Sequence, residues 1–499
     1  MYDNLMIAAS FVVDPFNFFI ICTGVVLGII IGALPGLGTA AGVAIMLPIT
    51  LTLTPAQAIV MLGAIYAAGT TGGSITSILF RIPGEAQSAM TMLDGFPMAK
   101  RGEAGRALGL AMTASAVGGV FSALVLMFFA PILAQWALKF GQAEYFAMAL
   151  FGISTVTSLA AKSVVKGLIS TAIGLFLCTI GLSDVFGVER FTFGNDDLRY
   201  GISYIPVIVG IFGMSEFLRN AGTVVVKEHK IGEGGAIKTQ FSVIKEFLHM
   251  KVLMVRSIAI GTIIGILPGT GGTTASVLAY NEAVRWSDHP EKFGTGIDEG
   301  IAAPEFANNA ACGGALVPTL TLGIPGSSTT AVILAAMMSH GLTPGPNLFI
   351  QNKQMVWGIF GGYLAANCLM IIAGLWGIWM FAKILRVPRA MLNWIIFILC
   401  VVGAFGINSN LQDVWIMFAF GLLGYLLEKF EYPLVPLVLA IILGPIAESA
   451  LIKGMMVYGD FWPFITRPIG GTLLFLSVLS MLFPIFRNYF EKRKKAKAA

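Results

Sequence analysis

The chain has 499 residues, 57% of them hydrophobic and 11% charged, with a formal net charge of +5 and a mean hydropathy of +0.84. Soluble domains carry roughly 25% charged residues, so this composition excludes a water-soluble globule and calls for apolar helices of the ~20 residues that cross hydrocarbon. Long unbroken apolar runs exclude a β-barrel, whose strands alternate, and so apolar a chain with its densest basic run in a terminal tail is not a nucleic-acid binder.

The first sixteen residues, "MYDNLMIAASFVVDPF", contain no Lys or Arg. They lack the basic region of a cleavable signal peptide and read as part of the mature protein, facing away from the cytoplasm. Apolar runs follow at 16–34, 37–53, 55–80, 106–134, 143–161, 165–182 and 202–218. They resume at 251–267, 303–322, 326–339, 355–384, 390–407, 412–427, 433–447 and 469–486. Some are too short to cross alone, and the set predicts an all-α polytopic membrane protein with about 12 transmembrane helices. The polar, Lys-containing stretch 219–250 divides the chain into a first membrane repeat (1–218), a cytoplasmic linker (219–250) and a second membrane repeat (251–499). The last thirteen residues, "RNYFEKRKKAKAA", carry six Lys or Arg against one Glu and predict a cytoplasmic C-terminus. Five Cys without a CxxC spacing read as core residues, with no disulfide framework.

The halves repeat one another. "GIIIGALPGLG" (28–38) and "GTIIGILPGTG" (261–271) agree at 8 of 11 positions at a constant offset of 233. "FRIPGEAQSA" (80–89) and "LGIPGSSTTA" (322–331) share Ile-Pro-Gly followed by small polar residues, and each follows a run of small residues. Lys100, Arg101 and Arg106 follow the first Ile-Pro-Gly, whereas "HGLTPGPNLFIQN" after the second has no Lys or Arg. Equivalent loops of unequal basic content are what the positive-inside bias predicts for an inverted-topology repeat. The acidic "SDVFGVERFTFGNDD" fits the outer face.

Pro35, Pro83, Pro268 and Pro325 interrupt apolar runs where helices would otherwise continue. In hydrocarbon such breaks are tolerated only where protein or a water-filled cavity surrounds them. The adjoining Gly36, Gly38, Gly84, Gly269, Gly271 and Gly326 let backbone turn and approach a ligand. A helix restarting after a break offers free N–H groups and a positive dipole end, hence an anion site built without Lys or Arg. Thr39, Thr273, Thr274, Ser327 and Ser328 follow the breaks, and Thr70, Asn308 and Asn309 lie in the small-residue runs. Their hydroxyls and amides can donate to a carboxylate, and oxygens such as those of Thr70, Asn309 and Thr329 can ligate Na⁺. The alternative role of the small residues is close helix packing.

Glu305 in "AAPEFANNAACGG" and Glu85 after "RIPG" are charged groups at membrane depth and candidate ion-coupling residues. Glu305 is read as binding a coupling cation, taking up a proton, or capping a helix at the interface. Arg81 is read as pairing with Glu85 or with an anionic substrate. The chain has no HExxH, GxSxG or Walker A motif, and the Gly-rich stretches lack the Lys that a phosphate loop requires, so no enzyme is predicted.

"GALPGLGTAAGVAIMLPIT", "GGSITSILFRIPGEAQSAMTMLDGFPMAKRGEAGRALG", "GILPGTGGTTASVLAYNEA" and "EGIAAPEFANNAACGGALVPTLTLGIPGSSTTAVILAAMMSHGLTPGP" together resemble the large membrane subunit of the tripartite tricarboxylate transporter family. The resemblance implies a bacterial inner-membrane secondary transporter that imports citrate, another carboxylate or an aromatic acid by symport with Na⁺ or H⁺, without further cofactors. It also implies two partners, a small four-helix membrane subunit and a periplasmic solute-binding protein. Cys312 and Arg81 stand in these motifs where small or neutral residues are expected. Paired breaks lean toward an elevator motion. The competing function is a carboxylate sensor in the membrane that carries out no net transport.

Overall fold

The computed structural model describes residues 2–34, 36–159, 163–183, 185–195, 198–199, 201–221, 247, 249–384 and 389–482. Most of the linker 219–250 and the basic C-terminal tail therefore lie outside the described residues. The first half runs α1 (Tyr2–Val13), α2 (Pro15–Ala33), α3 (Thr39–Thr50), α4 (Pro55–Phe80), α5 (Thr91–Met98), α6 (Ala104–Ala137), α7 (Gln142–Leu159) and α8 (Val164–Leu177). A two-residue antiparallel pair, Gly181–Leu182 with Glu189–Arg190, precedes α9 (Tyr204–Ile208) and α10 (Ser215–Ala221). The second half runs α11 (Lys251–Ile266), α12 (Gly271–Trp286), α13 (Asp298–Leu322), α14 (Ser328–Ser339), α15 (Pro346–Gln351), α16 (Lys353–Ile384), α17 (Arg389–Asn408), α18 (Leu411–Lys429), α19 (Leu434–Tyr458) and α20 (Trp462–Thr466).

Helix ends follow local chemistry. Asp14 accepts from the N–H groups of Phe16 and Asn17 at the start of α2, with Pro15 in the first turn. Thr54 and Gln57 form a capping box before α4. The residue before a proline is pushed out of the helical region, and α2 and α11 both end there: Leu34 has ψ 110° and Leu267 ψ 123°. Helices α4 and α13 end instead on left-handed residues, Arg81 (φ 58°) and Gly323 (φ 70°), each just before Ile-Pro-Gly.

The sequence repeat is also a packing repeat. In the first half α2 lies parallel to α4 because glycines bring the backbones together. A Cβ on Gly28 would lie 2.8 Å from Ile65 O, and one on Gly32 would collide with Gly69 O. In the second half Gly261 and Gly265 meet Ala307 O and Ala311 O in the same way, so α11 lies parallel to α13. Gly28 and Gly32 correspond to Gly261 and Gly265 at the offset of 233, while Ile65 and Gly69 correspond to Ala307 and Ala311 at the offset of 242 set by the Ile-Pro-Gly motifs. Between halves, α4 and α13 cross antiparallel. Ser74 donates to Glu305 at 2.5 Å, Asn309 Nδ2 to Thr71 Oγ1 at 2.9 Å, and Thr70 Oγ1 and Cys312 Sγ are 3.4 Å apart. Thr70 and Cys312 are equivalent positions, so the two helices cross on the residue they share.

Among the described residues six helices are long and apolar enough to cross a membrane, half of the dozen crossings expected. Six further apolar helices have only 10–17 residues. Of these, α3 and α14 have twelve residues each, about 18 Å of rise, which falls short of the ~30 Å hydrocarbon. Both follow a Pro-Gly break.

Candidate functional site at the paired helix breaks

Each break contains two left-handed glycines in the same order. Gly36 (φ 92°) and Gly38 (φ 58°) correspond to Gly269 (φ 76°) and Gly271 (φ 64°), a conformation that only glycine adopts without strain. Pro35 lies outside the described residues; Pro268 is buried. The Ile-Pro-Gly loops fold back onto these breaks. Gly269 N–H at the second break donates to Gly326 O at 3.1 Å, while Gly84 N–H in the first loop donates to Gly73 O of α4 at 3.2 Å. Gly84 is pressed against Gly32 O, and a Cβ on Gly326 would lie 2.6 Å from Gly265 O, so the two glycines fill equivalent niches.

The breaks then meet across the halves. Thr39, the first residue of α3, has its hydroxyl 3.0 Å from that of Thr329 in the first turn of α14, just after the second Ile-Pro-Gly. Gln87 in the first loop abuts Gly272 in the first turn of α12, where a Cβ would collide with its Oε1. Thr39 corresponds to Gly272 and Gln87 to Thr329, so each helix start faces the other half's Ile-Pro-Gly loop. The Thr39 N–H donates to Glu85 Oε2 at 2.6 Å. Ser327 caps α14 by accepting the Thr330 N–H at 3.2 Å, and its Oγ lies 3.1 Å from Tyr66 OH. Ser328, half-buried, opens the same helix. Arg81 and Glu85 do not meet: Arg81 is exposed and lies over the Phe96 ring, 5.8 Å from its centroid.

Glu305 lies fully buried in α13. Its Oε1 accepts from Ser74 at 2.5 Å and from Thr91, and its Oε2 from Ser115 and from Asn308 Nδ2 at 3.2 Å. Four neutral donors from four helices or their flanks thus hold a carboxyl group. Hydroxyls can reverse and accept when the group is protonated, so this cage fits either protonation state. Asn308 Oδ1 and Asn309 Oδ1 have no partner, and Thr70 donates to Tyr66 O at 3.0 Å. Among the described residues no three His, Cys, Asp or Glu side chains cluster as metal ligands.

Not every expected residue converges. Thr273 and Thr274 are exposed, and Thr274 donates to Thr270 O within its own helix. The helical period turns Gly272, Ala275, Ser276 and Ala279 inward instead. Thr91, Ser115, Tyr66 and Gln87 belong to the site and were not singled out from the sequence. Gln87 and Thr91 lie inside a quoted motif, whereas Tyr66 and Ser115 carry no sequence signal beyond being polar in apolar surroundings. Arg219 also reaches the first break: Nη2 donates to Gly36 O at 2.8 Å and Nη1 pairs with Glu428 at 2.9 Å.

The profile of the tripartite tricarboxylate transporter TctA family matches residues 18–439. Two proteins of Agrobacterium vitis are similar to the chain. One, an uncharacterized 52.8 kDa protein in the TAR-I ttuC' 3' region, is 38% identical over 496 residues, covering 99% of this chain and 98% of that protein. The other, an uncharacterized protein in the TAR-II ttuC' 3' region, is 36% identical over 234 residues, covering 47% of this chain and 97% of that protein. No solved structure matches.

Proposed function

Because the chain belongs to the tripartite tricarboxylate transporter TctA family, we propose that it is the large membrane subunit of an ion-gradient-driven importer of an organic acid, a di- or tricarboxylate such as citrate or a related acid. The family is one of transporters, so the chain is a multi-pass membrane transport protein and not an enzyme. The observation that carries the reading is the pairing of each break with the opposite Ile-Pro-Gly loop, with a carboxylate already seated on the Thr39 N–H. Helix starts in a low-dielectric interior hold anions through N–H groups and the dipole, and a substrate carboxylate suits the same place. Gly36, Gly38, Thr39, Gly84, Gly269, Gly271, Asn308, Asn309, Gly326, Ser327 and Ser328 frame it, with Pro35 and Pro268 making the breaks.

The antiparallel crossing of α4 and α13 on equivalent residues supports two inverted repeats, which alternating access by an elevator or a rocking motion requires. Glu305 and Glu85 are the coupling groups, Glu305 holding a cation or taking up H⁺ and Glu85 taking up H⁺, and the unpartnered Oδ1 of Asn309 beside Thr71 supplies a further oxygen. The small four-helix subunit and a periplasmic solute-binding protein complete the system in the bacterial inner membrane, with the C-terminus in the cytoplasm. Reconstitution tests this. Liposomes holding this chain alone should accumulate no citrate under an ion gradient, and uptake should begin when the small subunit and loaded binding protein are added. Full uptake by the single chain contradicts the three-component reading.

A further inference from the structure

The start of α3 is already occupied. Its N-cap, Gly38, offers no side chain, and Glu85, 46 residues further on, supplies the acceptor for the Thr39 N–H. Glu85 packs on α4 where Gly73 leaves room, since a Cβ on Gly73 would lie only 2.6 Å from Glu85 Cβ. The start of α12 likewise has no side-chain cap. There Gln87, 6% exposed, sets its Oε1, which has no partner, against Gly272. A single short loop therefore places a carboxylate on one helix start and an unpartnered amide oxygen on the other.

We propose that Glu85 is a built-in competitor for the transported acid: it holds the start of α3 until a substrate carboxylate replaces it, and Gln87 turns its amide to donate to the arriving acid. This rests on the reading above that the helix starts receive the substrate. Two carboxylates in so low a dielectric repel strongly, and Glu85 is released by taking one proton from water, becoming a neutral carboxylic acid that no longer contests the N–H. One proton is then bound for each acid bound. The titratable groups around Glu85 are the Cys312 thiol on α13, which also senses Glu305, and the Glu216–Arg219 pair closing on Gly36. Arg81 is turned to Phe96. Glu85 is the one of these whose carboxyl group contacts the contested amide.

The test uses the full chain in lipid nanodiscs, with citrate as the probe and citrate-dependent slowing of backbone hydrogen exchange in α3 as the readout. In the wild type the half-saturating citrate concentration should rise with pH between roughly pH 7 and 8.5, by up to about tenfold per pH unit for one proton taken up on binding. Glu85→Gln keeps an oxygen for the Thr39 N–H but carries no charge, so its affinity should be flat over that range and tighter than wild type at the upper end. Thr39→Pro removes the contested N–H at a helix position that tolerates proline, and should lose citrate protection relative to Thr39→Ala. If Thr39→Pro loses protection while Glu85→Gln keeps the wild-type pH slope, the competitor role is overturned and the site stands. If Thr39→Pro matches Thr39→Ala, or citrate protects no variant, the site itself is overturned and the competitor with it.

Discussion

Replacing Glu305 by Gln separates coupling from folding, and the cost can be worked from its four partners. The Gln oxygen keeps the two hydroxyl donors of Ser74 and Thr91 if its amide nitrogen takes the Oε2 position. Ser115 can rotate its hydroxyl to accept from that nitrogen. Asn308 presently donates there, but its Oδ1 has no partner, so turning the side-chain amide over satisfies the new donor and exchanges one unpartnered Asn308 atom for another. The net change is the exchange of charged for neutral hydrogen bonds, offset by no longer burying a charge, and should stay within about 1.5 kcal/mol. Glu305→Ala differs, since it leaves the Asn308 amide without an acceptor and opens a cavity, for about 1–3 kcal/mol from the stranded donor alone. Purified Glu305→Gln should therefore melt close to wild type and Glu305→Ala clearly lower. In liposomes with both partners, Glu305→Gln should still exchange internal for external citrate but should fail to accumulate it against its gradient. Wild-type accumulation by a well-folded Glu305→Gln would refute a coupling role and leave Glu305 as a structural hub.

Three further outcomes follow from the geometry. A Cys at Gly102, which has open space around it, should be labelled only from the cytoplasm, and one at the exposed Asn347 only from the periplasm; labelling of both from one side contradicts the inverted repeat. Gly32→Ala and Gly265→Ala should each destabilise by at least the ~1–3 kcal/mol of an overpacked core, because both Cβ atoms collide with a facing carbonyl; a normal melting temperature in either would show that the helix pairs give way. Arg81→Gly should raise stability by about 1 kcal/mol, since Arg81 holds the left-handed position that Gly323 fills in the other half, and a fall in melting temperature would show that the contact with Phe96 outweighs the strain.

The breaks were legible because they are local. Proline pushes the Leu before it out of the helix, the adjoining glycines permit the left-handed turns, and the offset of 233 carried that geometry from one half to the other. The close approach of α2 to α4 and of α11 to α13 was legible only as an alternative, since small residues serve packing and binding alike, and here Gly32 and Gly265 pack while Gly38 and Gly271 turn. The cage around Glu305 was half visible. Ser74 and Thr91 lie in a quoted motif and Ser115 outside it, but all three reach the carboxyl group only through the packing of α4, α5 and α6 on α13, which no local pattern encodes. Thr273 and Thr274 were drawn into the site by proximity to the break, although the helical period points them outward. Glu85 was read as a coupling group, and its seat on the Thr39 amide could not be read because it bridges 46 residues.

The central claim is that the acid binds where each break meets the other half's loop, and that these elements part during transport. Cys replacing Thr39 and Thr329, whose hydroxyl oxygens are 3.0 Å apart, tests it in a background with the native Cys changed to Ser. Oxidation should join the pair, stop citrate uptake by the reconstituted three-component system, and allow full recovery on reduction. Undiminished uptake by a quantitatively cross-linked protein would contradict the claim.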